Sequence, residues 1–450
     1  MNDRAGVADP EEKPVTTTGR RSRQQIRLLL IAVALFAVSA VVSHYAKFWH
    51  GYIDLQVYRN GSRAWLDGKD LYGPMPPVFG LGLPFTYPPL AALFFAPLAL
   101  MPLAVAEWAV LAVSIASLAV TLWLVLDRIR PTMDRATRLA IVIGAVAVLQ
   151  LLEPIRQTYG FGQINLVLMA VIALDCLVRK PFWPRGMLIG IAVAVKLTPA
   201  GYLLYFLLQQ DWKAAWQRAR AACTPFSVRG AAAAIAVLCK AIPRPAFTMV
   251  LATAGAVVVG WAIFPKDSPQ YWFHTLSDTG RIGPPWYAGN QSIKGFAFRL
   301  GVSDSVASLL WVGLSVVAIA LAAIWMKRLF TAGATVAALM VNAGVVLLIS
   351  PVSWSHHWVW IAPALVVAAD AVARGRRSPL FLGTVALAVV MFAIGPQWLF
   401  PHDGDRELTW SWWQQIIGSS YVLFTFAIFV IAVLTYHPTP AERKTEAQAV

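Results

Sequence analysis

Residues 28–45 read LLLIAVALFAVSAVVSHY, an apolar segment without a single Asp, Glu, Lys or Arg. A helix that crosses a bilayer needs roughly 20 predominantly apolar residues, so this segment predicts a first membrane span. It ends among Tyr45, Lys47 and Trp49, an aromatic and basic flank that is typical of a membrane interface. The basic residues before it resemble the start of a signal peptide, but the flank favours a span that is retained. They are Arg20, Arg21, Arg23 and Arg27.

The composition extends this prediction to almost the whole chain. Of its 450 residues, 58% are hydrophobic and only 13% are charged, whereas a soluble domain is about one-quarter charged. Further apolar segments lie at 105–126, 139–152, 163–178, 246–264, 304–326, 331–350, 356–373, 379–396 and 412–435. One membrane domain explains this recurrence more simply than two or three soluble domains.

Two more segments are apolar but interrupted. The stretch 186–210 is broken around Lys196 and Pro199, which predicts two short helices that meet in the outer half of the membrane. Prolines bracket 88–101 and indicate a re-entrant segment or a short span. Together the apolar segments predict an all-α, polytopic membrane protein with about twelve transmembrane helices.

The net charge of +15 comes from Lys and Arg clustered in short loops between apolar segments. This pattern orients a chain in a bilayer and argues against a nucleic-acid-binding protein. When 186–210 is counted as an out-and-back pair and 88–101 as re-entrant, the basic loops share the cytoplasmic side with both termini. These loops are 128–138, 179–185, 213–229, 327–328, 374–377 and 443–444. The extracytoplasmic side receives 46–87, 153–162, 265–303, 351–355 and 397–411.

The sequence divides into a disordered cytoplasmic tail, a transmembrane domain and a second disordered cytoplasmic tail, at 1–25, 26–436 and 437–450. The outer loops 46–87 and 265–303 are long, aromatic and rich in Pro and Gly, which is the composition of ordered functional loops. Within the first loop, segment 54–66 gathers apolar and aromatic residues on one helical face. This predicts a helix that lies in the plane of the membrane interface.

Several polar groups are candidates for chemistry, and each has an ordinary structural alternative. Asp54 opens the predicted interface helix, where a simple N-cap is the alternative to a catalytic carboxylate. Lys196 lies inside the broken hairpin, where its charge is costly without an anion or carboxylate unless it snorkels to the interface. Glu153 and Arg156 precede a polar turn and are expected to pair with each other.

Two adjacent histidines, His356 and His357, lie at a predicted membrane boundary. Adjacent residues point about 100° apart on a helix, so at most one of them faces a given ligand. Helical metal ligands favour i, i+4 spacing, which argues against a zinc site. The three cysteines have no metal-binding spacing and imply no disulfide framework. The sequence contains no GxxxxGK[ST], HExxH or GxSxG motif, and we expect neither a metal nor a cofactor.

Seven short motifs occur in order along residues 50–400: Asp54-Leu55-Gln56-Val57-Tyr58, Leu71-Tyr72, Phe85-Thr86-Tyr87-Pro88-Pro89-Leu90, Gly162-Gln163-Ile164-Asn165, Lys196-Leu197-Thr198-Pro199, Gly289-Asn290-Gln291-Ser292 and Ser353-Trp354-Ser355-His356-His357-Trp358. Their order and spacing together resemble glycosyltransferase family 87. That family includes actinobacterial polyprenol-phosphate-mannose-dependent α-1,2-mannosyltransferases. The stretch 221–246 matches none of the motifs, so the resemblance says nothing of its role.

The resemblance implies a GT-C glycosyltransferase fold in the cell membrane, with the active site on the extracytoplasmic face. It implies a polyprenyl-phosphate-mannose donor and a lipid-anchored mannoside acceptor, namely a phosphatidylinositol mannoside, lipomannan or lipoarabinomannan. The family's general base is an acidic residue in the first outer loop, immediately after the first span, and Asp54 matches that position. Attack without a covalent intermediate would invert the anomeric carbon, so a β-linked donor would give an α-linked product.

The donor chemistry suggests roles for the other polar groups. A donor with one phosphate carries less charge than a nucleotide diphosphate, so it does not demand a divalent metal. Positive groups can stabilise the charge that develops on the leaving phosphate. The candidates for the phosphate are His356, His357, Lys196 and Arg281. The candidates for the sugar hydroxyls are Asn290, Gln291, Gln163, Asn165 and Tyr87.

Two other functions stay open. The same family contains arabinofuranosyltransferases, and inspection of the sequence does not separate a polyprenyl-phosphate-arabinose donor from a mannose donor. A lipid or sugar transporter would also have broken helices and a buried lysine. Against a transporter, the polar groups gather on one face of the membrane domain and no repeat relates its two halves.

Overall fold

The computed structural model of the chain describes residues 17–223 and 227–437. These residues form helices joined by turns, and their only β-type pairing is two isolated bridges. The α-helices are α1 Thr17–Tyr45, α2 Ile53–Leu66, α3 Leu90–Leu100, α4 Leu103–Ile129, α5 Arg135–Leu149, α6 Glu153–Phe161, α7 Asn165–Leu177, α8 Met187–Val195, α9 Leu203–Leu207, α10 Trp212–Ala222, α11 Val228–Ala241, α12 Arg244–Ile263, α13 Asp267–Gln270, α14 Ile293–Arg299, α15 Asp304–Thr331, α16 Thr335–Ile349, α17 Ile361–Ala373, α18 Pro379–Ile394, α19 Trp412–Gly418 and α20 Ser420–Thr435. The predicted all-α class is confirmed.

Five segments of the described chain are long and apolar enough to cross a membrane. They are Ser22–Tyr45 within α1, α4, α12, α15 and the segment Ser355–Ala373 that ends with α17. Two helix pairs raise the number to seven if each pair is one span: α5 with α6, bent by 82°, and α19 with α20, bent by 75°. The chain is therefore a multi-pass membrane protein, and the count of about twelve crossings stays a prediction.

Bends and short helices both contribute to the difference between predicted and observed segments. The stretch 412–435 was expected as one straight span, but it breaks between Gly418 and Ser420. Gly418 lies against the ring of Trp410, where a Cβ atom would overlap the indole. The predicted short segment 88–101 is helical, as α3, with only 11 residues. At 1.5 Å per residue, that helix is about 16 Å long, which is too short to cross a bilayer alone.

Three of the predicted cytoplasmic loops, 128–138, 179–185 and 374–377, lie together at one end of the molecule. Asp127 receives hydrogen bonds from Arg138 at 2.5 Å and from Arg179 at 3.0 Å. Asp370 pairs with Arg374 at 2.8 Å and with Arg130. Two carboxylates thus join three of the basic loops, and they offset the repulsion among the arginines.

The predicted outer segments meet at the opposite end. Four hydrogen bonds join them: Tyr52 N to Gly160 O at 2.7 Å, Leu71 N to Asp267 Oδ1 at 3.1 Å, Gln291 N to Ser353 O at 2.7 Å, and Trp286 Nε1 to Asp405 Oδ1 at 2.8 Å. Helix α4 runs between the two ends, and its 27 residues give a length of about 40 Å. The two sets of loops therefore lie on opposite sides of the apolar helices.

The first helix begins inside the segment assigned to a disordered tail. Helix α1 starts at Thr17, whereas the predicted tail extends to residue 25. Residues 1–16 and 438–450, which hold the rest of both predicted tails, lie outside the described residues.

Candidate active site

Helix α2 carries Asp54 in its first turn, just after the first apolar segment. The backbone N–H of Tyr52, the residue before the helix, donates to the carbonyl of Gly160 at 2.7 Å and fixes the start of α2 against α6. Asp54 does not cap the helix, because the N-cap position belongs to Tyr52 and receives no side-chain hydrogen bond. The half-buried carboxylate instead accepts a hydrogen bond from Gln163 Nε2 at 3.0 Å. The N-cap alternative is therefore wrong.

Gln163 reaches Asp54 because of a glycine. Helix α6 ends at Gly162, which has the left-handed φ of +66° that glycine adopts at low cost. A Cβ atom on Gly162 would lie only 2.8 Å from Cβ of Leu55 in α2. The absence of a side chain lets the turn between α6 and α7 lie directly against α2.

Around Gln163 lies a cluster of six polar side chains, which we call the aspartate–lysine cluster: Asp54, Tyr58, Tyr87, Gln163, Asn165 and Lys196. Tyr58 is one helical turn after Asp54 and donates to Gln163 Oε1 at 2.6 Å. The hydroxyl of Tyr87 lies 3.3 Å from Gln163 Nε2 and 3.2 Å from the Tyr58 hydroxyl. The cluster thus draws on α2, the segment before α3, the α6–α7 turn and the end of α8.

Lys196 closes the far side of this cluster. Its ammonium group donates to Asn165 Oδ1 at 2.9 Å and to Gln163 Oε1 at 3.4 Å, and it lies 5.6 Å from the centre of the Tyr87 ring. The side chain is only 8% exposed, so it does not snorkel into solvent. Within the described residues, no carboxylate lies within 4.0 Å of it. A buried ammonium surrounded by neutral partners is well suited to receive an anion.

The two histidines lie next to Lys196, in the 3₁₀ segment Ser355–Trp360. The backbone carbonyl of His356 accepts from Asn165 Nδ2 at 2.9 Å and from Thr158 Oγ1 at 3.0 Å. The buried Nε2 of His356 has no hydrogen-bond partner among the described residues. The rings of His356 and His357 are 4.9 Å apart and nearly perpendicular, and both interact electrostatically with Lys196.

His357 is half-buried and faces a small cavity. It lines this cavity of about 50 Å³ together with Asn165, Thr198 and Ser353. The adjacent histidines therefore have different surroundings, as expected for neighbouring residues on a helical turn.

A buried carboxylate, Glu153, fixes the histidine segment from behind. It accepts hydrogen bonds from Ser355 Oγ at 2.6 Å, Trp398 Nε1 at 2.7 Å and Tyr421 OH at 2.9 Å. The expected pair with Arg156 does not form, since that guanidinium lies 5.2 Å from the ring of Phe48. Glu153 therefore holds the 3₁₀ segment in place and ties it to the last helices of the chain.

Three other predicted site residues lie apart from the cluster. Asn290 is fully buried, and its amide bonds to the backbone of Pro285, Pro351 and Ser353 at 3.0, 3.3 and 3.0 Å. Gln291 is equally buried and donates to two backbone carbonyls. These two amides hold the large outer loop and are closed to a sugar in this structure. Arg281 donates to the Tyr72 carbonyl at 2.9 Å.

Burial raises the pKa of Asp54 to about 6, although the hydrogen bond from Gln163 and the charge of Lys196 lower it. A carboxylate with such a pKa is ionised at neutral pH, and it is a stronger base than an exposed aspartate. It can therefore accept a proton from an incoming hydroxyl group. No three His, Cys, Asp or Glu side chains in the described part of the chain are grouped to hold a metal ion. The expected absence of a metal stays a prediction.

Sequence reasoning did not give two residues of this region the role that they have in the structure. Tyr58 belongs to the same short motif as Asp54, and i, i+4 spacing places both on one helical face, so periodicity would have found it. Glu153 gave no such signal, because two of its partners, Ser355 and Tyr421, are 202 and 268 residues away along the chain.

Comparison with known proteins tests the family resemblance independently of this geometry. The model of glycosyltransferase family 87 matches residues 85–225 and 221–351, so the stretch 221–246 lies within the matched part of the chain. A polyprenol-phosphate-mannose-dependent α-(1-2)-phosphatidylinositol mannoside mannosyltransferase of Mycolicibacterium smegmatis is 39% identical over 84% of this chain and 83% of its own length. The protein of that name from Mycobacterium tuberculosis is 37% identical over 93% of this chain and 92% of its own length.

A third relative has a related activity. The polyprenol-phosphate-mannose-dependent α-(1-2)-phosphatidylinositol pentamannoside mannosyltransferase of Mycolicibacterium smegmatis is 30% identical over 94% of this chain and 95% of its own length. No solved structure matches the chain. Because the family model covers more than half of the chain and these relatives align over most of it, the chain belongs to glycosyltransferase family 87 and is a membrane glycosyltransferase.

Proposed function

We propose that this protein transfers mannose from polyprenyl-phosphate-mannose to a phosphatidylinositol mannoside and forms an α-1,2 linkage with inversion. The observation that carries the proposal is the arrangement of Asp54 and Lys196, a base and a buried cation held on either side of one amide. The names of the two phosphatidylinositol mannoside mannosyltransferases that are 39% and 37% identical to this chain support the donor and the acceptor.

The reaction needs one proton acceptor and one site for a leaving anion. The acceptor hydroxyl attacks the anomeric carbon of the donor sugar while Asp54 removes its proton. The bond between that carbon and the phosphate oxygen breaks, and the electron pair leaves with the polyprenyl phosphate. Lys196 and one of the neighbouring histidines stabilise the charge on the leaving phosphate. Direct attack on a β-linked donor gives the α-linked product.

We assign the reaction to the extracytoplasmic face of the cell membrane, within a GT-C architecture. The gathering of basic loops at the end opposite Asp54 supports this orientation. Helix α2 is amphipathic, with one buried face and one face of polar residues, and we place it in the interface plane. The polyprenyl chain then lies in the bilayer while its phosphate reaches Lys196 at headgroup depth.

Of the predicted sugar-binding residues, Tyr87 is the one we place beside the transferred sugar; the amide of Asn165 is engaged by Lys196 and the His356 carbonyl, so Asn165 positions these groups. Tyr87 is half-buried at the edge of the cluster, and Asn165 lines the cavity that His357 also borders. Gln163, Asn290 and Gln291 have their amides engaged inside the protein and support the site indirectly. Arg281 is tied to the first outer loop through the Tyr72 carbonyl and shares no hydrogen bond with the cluster among the described residues, so we do not keep it as a phosphate ligand.

The proposal is tested with membranes that contain the wild-type protein, Asp54→Asn or the control Asp67→Asn. Asp67 follows the same helix but is exposed and pairs with Lys69. Each membrane receives labelled polyprenyl-phosphate-mannose or polyprenyl-phosphate-arabinose and a phosphatidylinositol mannoside acceptor. We expect mannose transfer by wild type and Asp67→Asn, a loss of about 10²–10⁴-fold in Asp54→Asn, and a product that an α-1,2-specific mannosidase cleaves.

Each alternative predicts a different result. Transfer from the arabinose donor alone would establish the arabinofuranosyltransferase, and movement of unaltered donor across the membrane without product would establish a transporter. Wild-type rates in Asp54→Asn would refute the assignment of the base. Folding is checked by thermal melting of the purified variants, because Asp54→Asn removes a charge whose burial opposes folding and should not lower the melting temperature.

A further inference from the structure

Gln163 has an unusually complete set of partners for a single amide. Its Oε1 accepts from Tyr58 OH at 2.6 Å, from Ile164 N at 3.2 Å and from Lys196 Nζ at 3.4 Å. Its Nε2 donates to Asp54 Oδ2 at 3.0 Å and faces the Tyr87 hydroxyl at 3.3 Å. The side chain is only 2% exposed, so water does not compete for these bonds.

These partners permit only one orientation of the amide. Lys196 and the backbone N–H of Ile164 can only donate, so the oxygen must face them. The two N–H groups must then face Asp54 and Tyr87. The Asp54 carboxylate therefore always receives an N–H group, and one of its two oxygens is fixed in direction while the other stays available.

The same bonds connect the two ends of the site. The ammonium of Lys196 polarises Gln163 through its oxygen, and this strengthens the hydrogen bond that the amide nitrogen donates to Asp54. A change of charge at Lys196, such as the arrival of an anion, is thereby transmitted to the carboxylate. No direct contact between Lys196 and Asp54 is needed.

We propose that Gln163 is a positioning residue for the transfer reaction: it aims the Asp54 carboxylate, keeps it in the ionised form and couples it to Lys196, where the phosphate of the donor binds. The proposal rests on the function proposed above, since it requires Asp54 to act as the base. It replaces the expectation that Gln163 binds a sugar hydroxyl.

The groups around Asp54 determine how its ionisation responds to mutation. Lys196 at the end of α8 favours the ionised form, and Tyr58 and Tyr87 are neutral at physiological pH because burial and the charge of Asp54 raise the pKa of both phenols. Helix α3 carries no titratable group, whereas α6 carries Glu153, Arg156 and Tyr159. Glu153 is turned towards Ser355, Arg156 lies over Phe48, and the Tyr159 side chain is packed in the apolar core. Behind Lys196 lie His356 and His357.

Burial already moves the pKa of Asp54 to about 6, so transfer by the wild-type enzyme should fall as the pH drops through that value. Gln163→Glu keeps the shape of the side chain but places a second carboxylate where the N–H donor was. Two carboxylates at that distance resist simultaneous ionisation, which raises the pKa of the base. Gln163→Met keeps the length and removes the N–H donor without adding charge, so it raises the same pKa by less.

The experiment measures kcat against pH, from 5 to 9, for the wild type, the two Gln163 variants and the control Gln56→Glu. Gln56 lies on α2 two residues after Asp54, but its amide donates to the Gly51 carbonyl at 3.2 Å and does not face the cluster. The acidic limb should move up by about 1–3 pH units in Gln163→Glu, by a smaller step in Gln163→Met, and not at all in Gln56→Glu. The kcat of Gln163→Glu should be lower than that of the wild type at pH 6, and this difference should become smaller as the pH rises.

The outcomes separate this proposal from the proposed function. If Asp54→Asn is inactive but neither Gln163 variant moves the acidic limb, Asp54 remains the base and the positioning role of Gln163 is overturned. A loss of kcat in the Gln163 variants that is equal at every pH would also overturn the positioning role, because it would indicate only lost packing. If Asp54→Asn keeps its activity, the base is misassigned, and a shift caused by Gln163 must then be traced to another group.

Discussion

Asn165 links the two groups to which we assign the donor phosphate, Lys196 and the histidine segment. Its carbonyl oxygen accepts from Lys196 and its amide nitrogen donates to the backbone of His356, at 2.9 Å in both cases. The lysine and the histidine segment are therefore held at a fixed separation by one side chain. A phosphate that binds between them meets a rigid arrangement, which reduces the entropic cost of binding.

The two histidines should differ in their effect on donor use. His356 has a buried Nε2 without a partner among the described residues, which an oxygen of the donor phosphate can satisfy. A charge-assisted hydrogen bond contributes about 1.5–3 kcal/mol, so His356→Ala should weaken the apparent donor constant roughly 10- to 150-fold. His357→Ala should weaken the apparent donor constant by less than His356→Ala does. In both variants the apparent acceptor constant should change less than the donor constant.

The measurement is the pair of apparent constants for each single variant, with folding checked by thermal melting. If both variants keep normal donor constants, Lys196 alone holds the phosphate and the histidines serve to pack the 3₁₀ segment. A larger effect in His357→Ala would move the phosphate into the cavity that this residue lines with Asn165.

At the scale of single residues, sequence reasoning identified candidate polar side chains more easily than the groups to which they bond. Asp54 and Lys196 stood out because a charge at membrane depth is costly, and the structure brings both into one cluster. Asn290 and Gln291 were chosen for their polarity, but polarity does not reveal whether an amide bonds to a ligand or to its own backbone. Those bonds form only when the outer loop packs against Ser353 and Gly418.

At the scale of elements, the position of Lys196 depends on how α8 packs on α12. Gly186 and Gly190 are four residues apart, in the GxxxG spacing that allows membrane helices to approach closely. A Cβ atom at Gly190 would overlap the carbonyl oxygen of Met249, and that glycine's own carbonyl accepts from Thr253 Oγ1 at 3.1 Å. Helix α8 ends at Val195, directly before Lys196, so a shift of this helix moves the lysine.

We expect Gly190→Val to lower stability and to weaken donor use at the same time. The added side chain cannot fit between the helices, and overpacking of this kind typically costs about 1–3 kcal/mol. Gly255→Val is the matched control, because Gly255 lies in α12 itself with nothing within 4 Å of an added Cβ atom. Thermal melting in detergent and the apparent donor constant are measured for both variants.

A normal donor constant in a destabilised Gly190→Val would show that Lys196 keeps its place when α8 moves. That result would separate the packing of α8 from the binding of the phosphate. Equal destabilisation by Gly255→Val would instead mean that any valine in this pair of helices is harmful, whatever its contacts.

The sequence predicted which hydrophobic segments form helices, but it predicted less well where those helices end and bend. The apolar segments 105–126 and 304–326 lie within α4 and α15, because long, predominantly apolar runs leave little alternative to a helix in a bilayer. The stretch 412–435 was predicted as one span, yet it bends by 75°. At the break, Gly418 packs against the ring of Trp410, and hydropathy contains no information about such a contact.

At the scale of the whole molecule, charge is divided between two ends. The basic loops at one end share Asp127 and Asp370, while the other end holds the aspartate–lysine cluster and the aromatic outer loops. The sequence predicted this division because basic loops alternate with non-basic ones along the chain, and successive membrane crossings place alternate loops on opposite sides. It could not predict which residues of each end touch, since those contacts depend on packing.

The orientation of these two ends in the membrane is the last prediction, and it determines where the donor must be supplied. Three exposed positions report it: Ser277, Asp403 and Gly375. In a protein whose native cysteines have been replaced, Ser277→Cys and Asp403→Cys should react with a membrane-impermeant maleimide on intact cells. Gly375→Cys, between two arginines in a basic loop, should react only after the cells are permeabilised.

The native cysteines are Cys176, Cys223 and Cys239, and retained mannose transfer shows that their replacement leaves the fold intact. Ser277 and Asp403 belong to the end of the molecule that holds Asp54, so their labelling reports the side on which the base lies. Labelling of Gly375→Cys from outside would show that the protein has the opposite orientation, with Asp54 on the cytoplasmic side. The enzyme would then have to take its lipid-linked donor from the cytoplasmic leaflet. The basic loops would lie outside the cell, contrary to the preference of Lys- and Arg-rich loops for the cytoplasmic side.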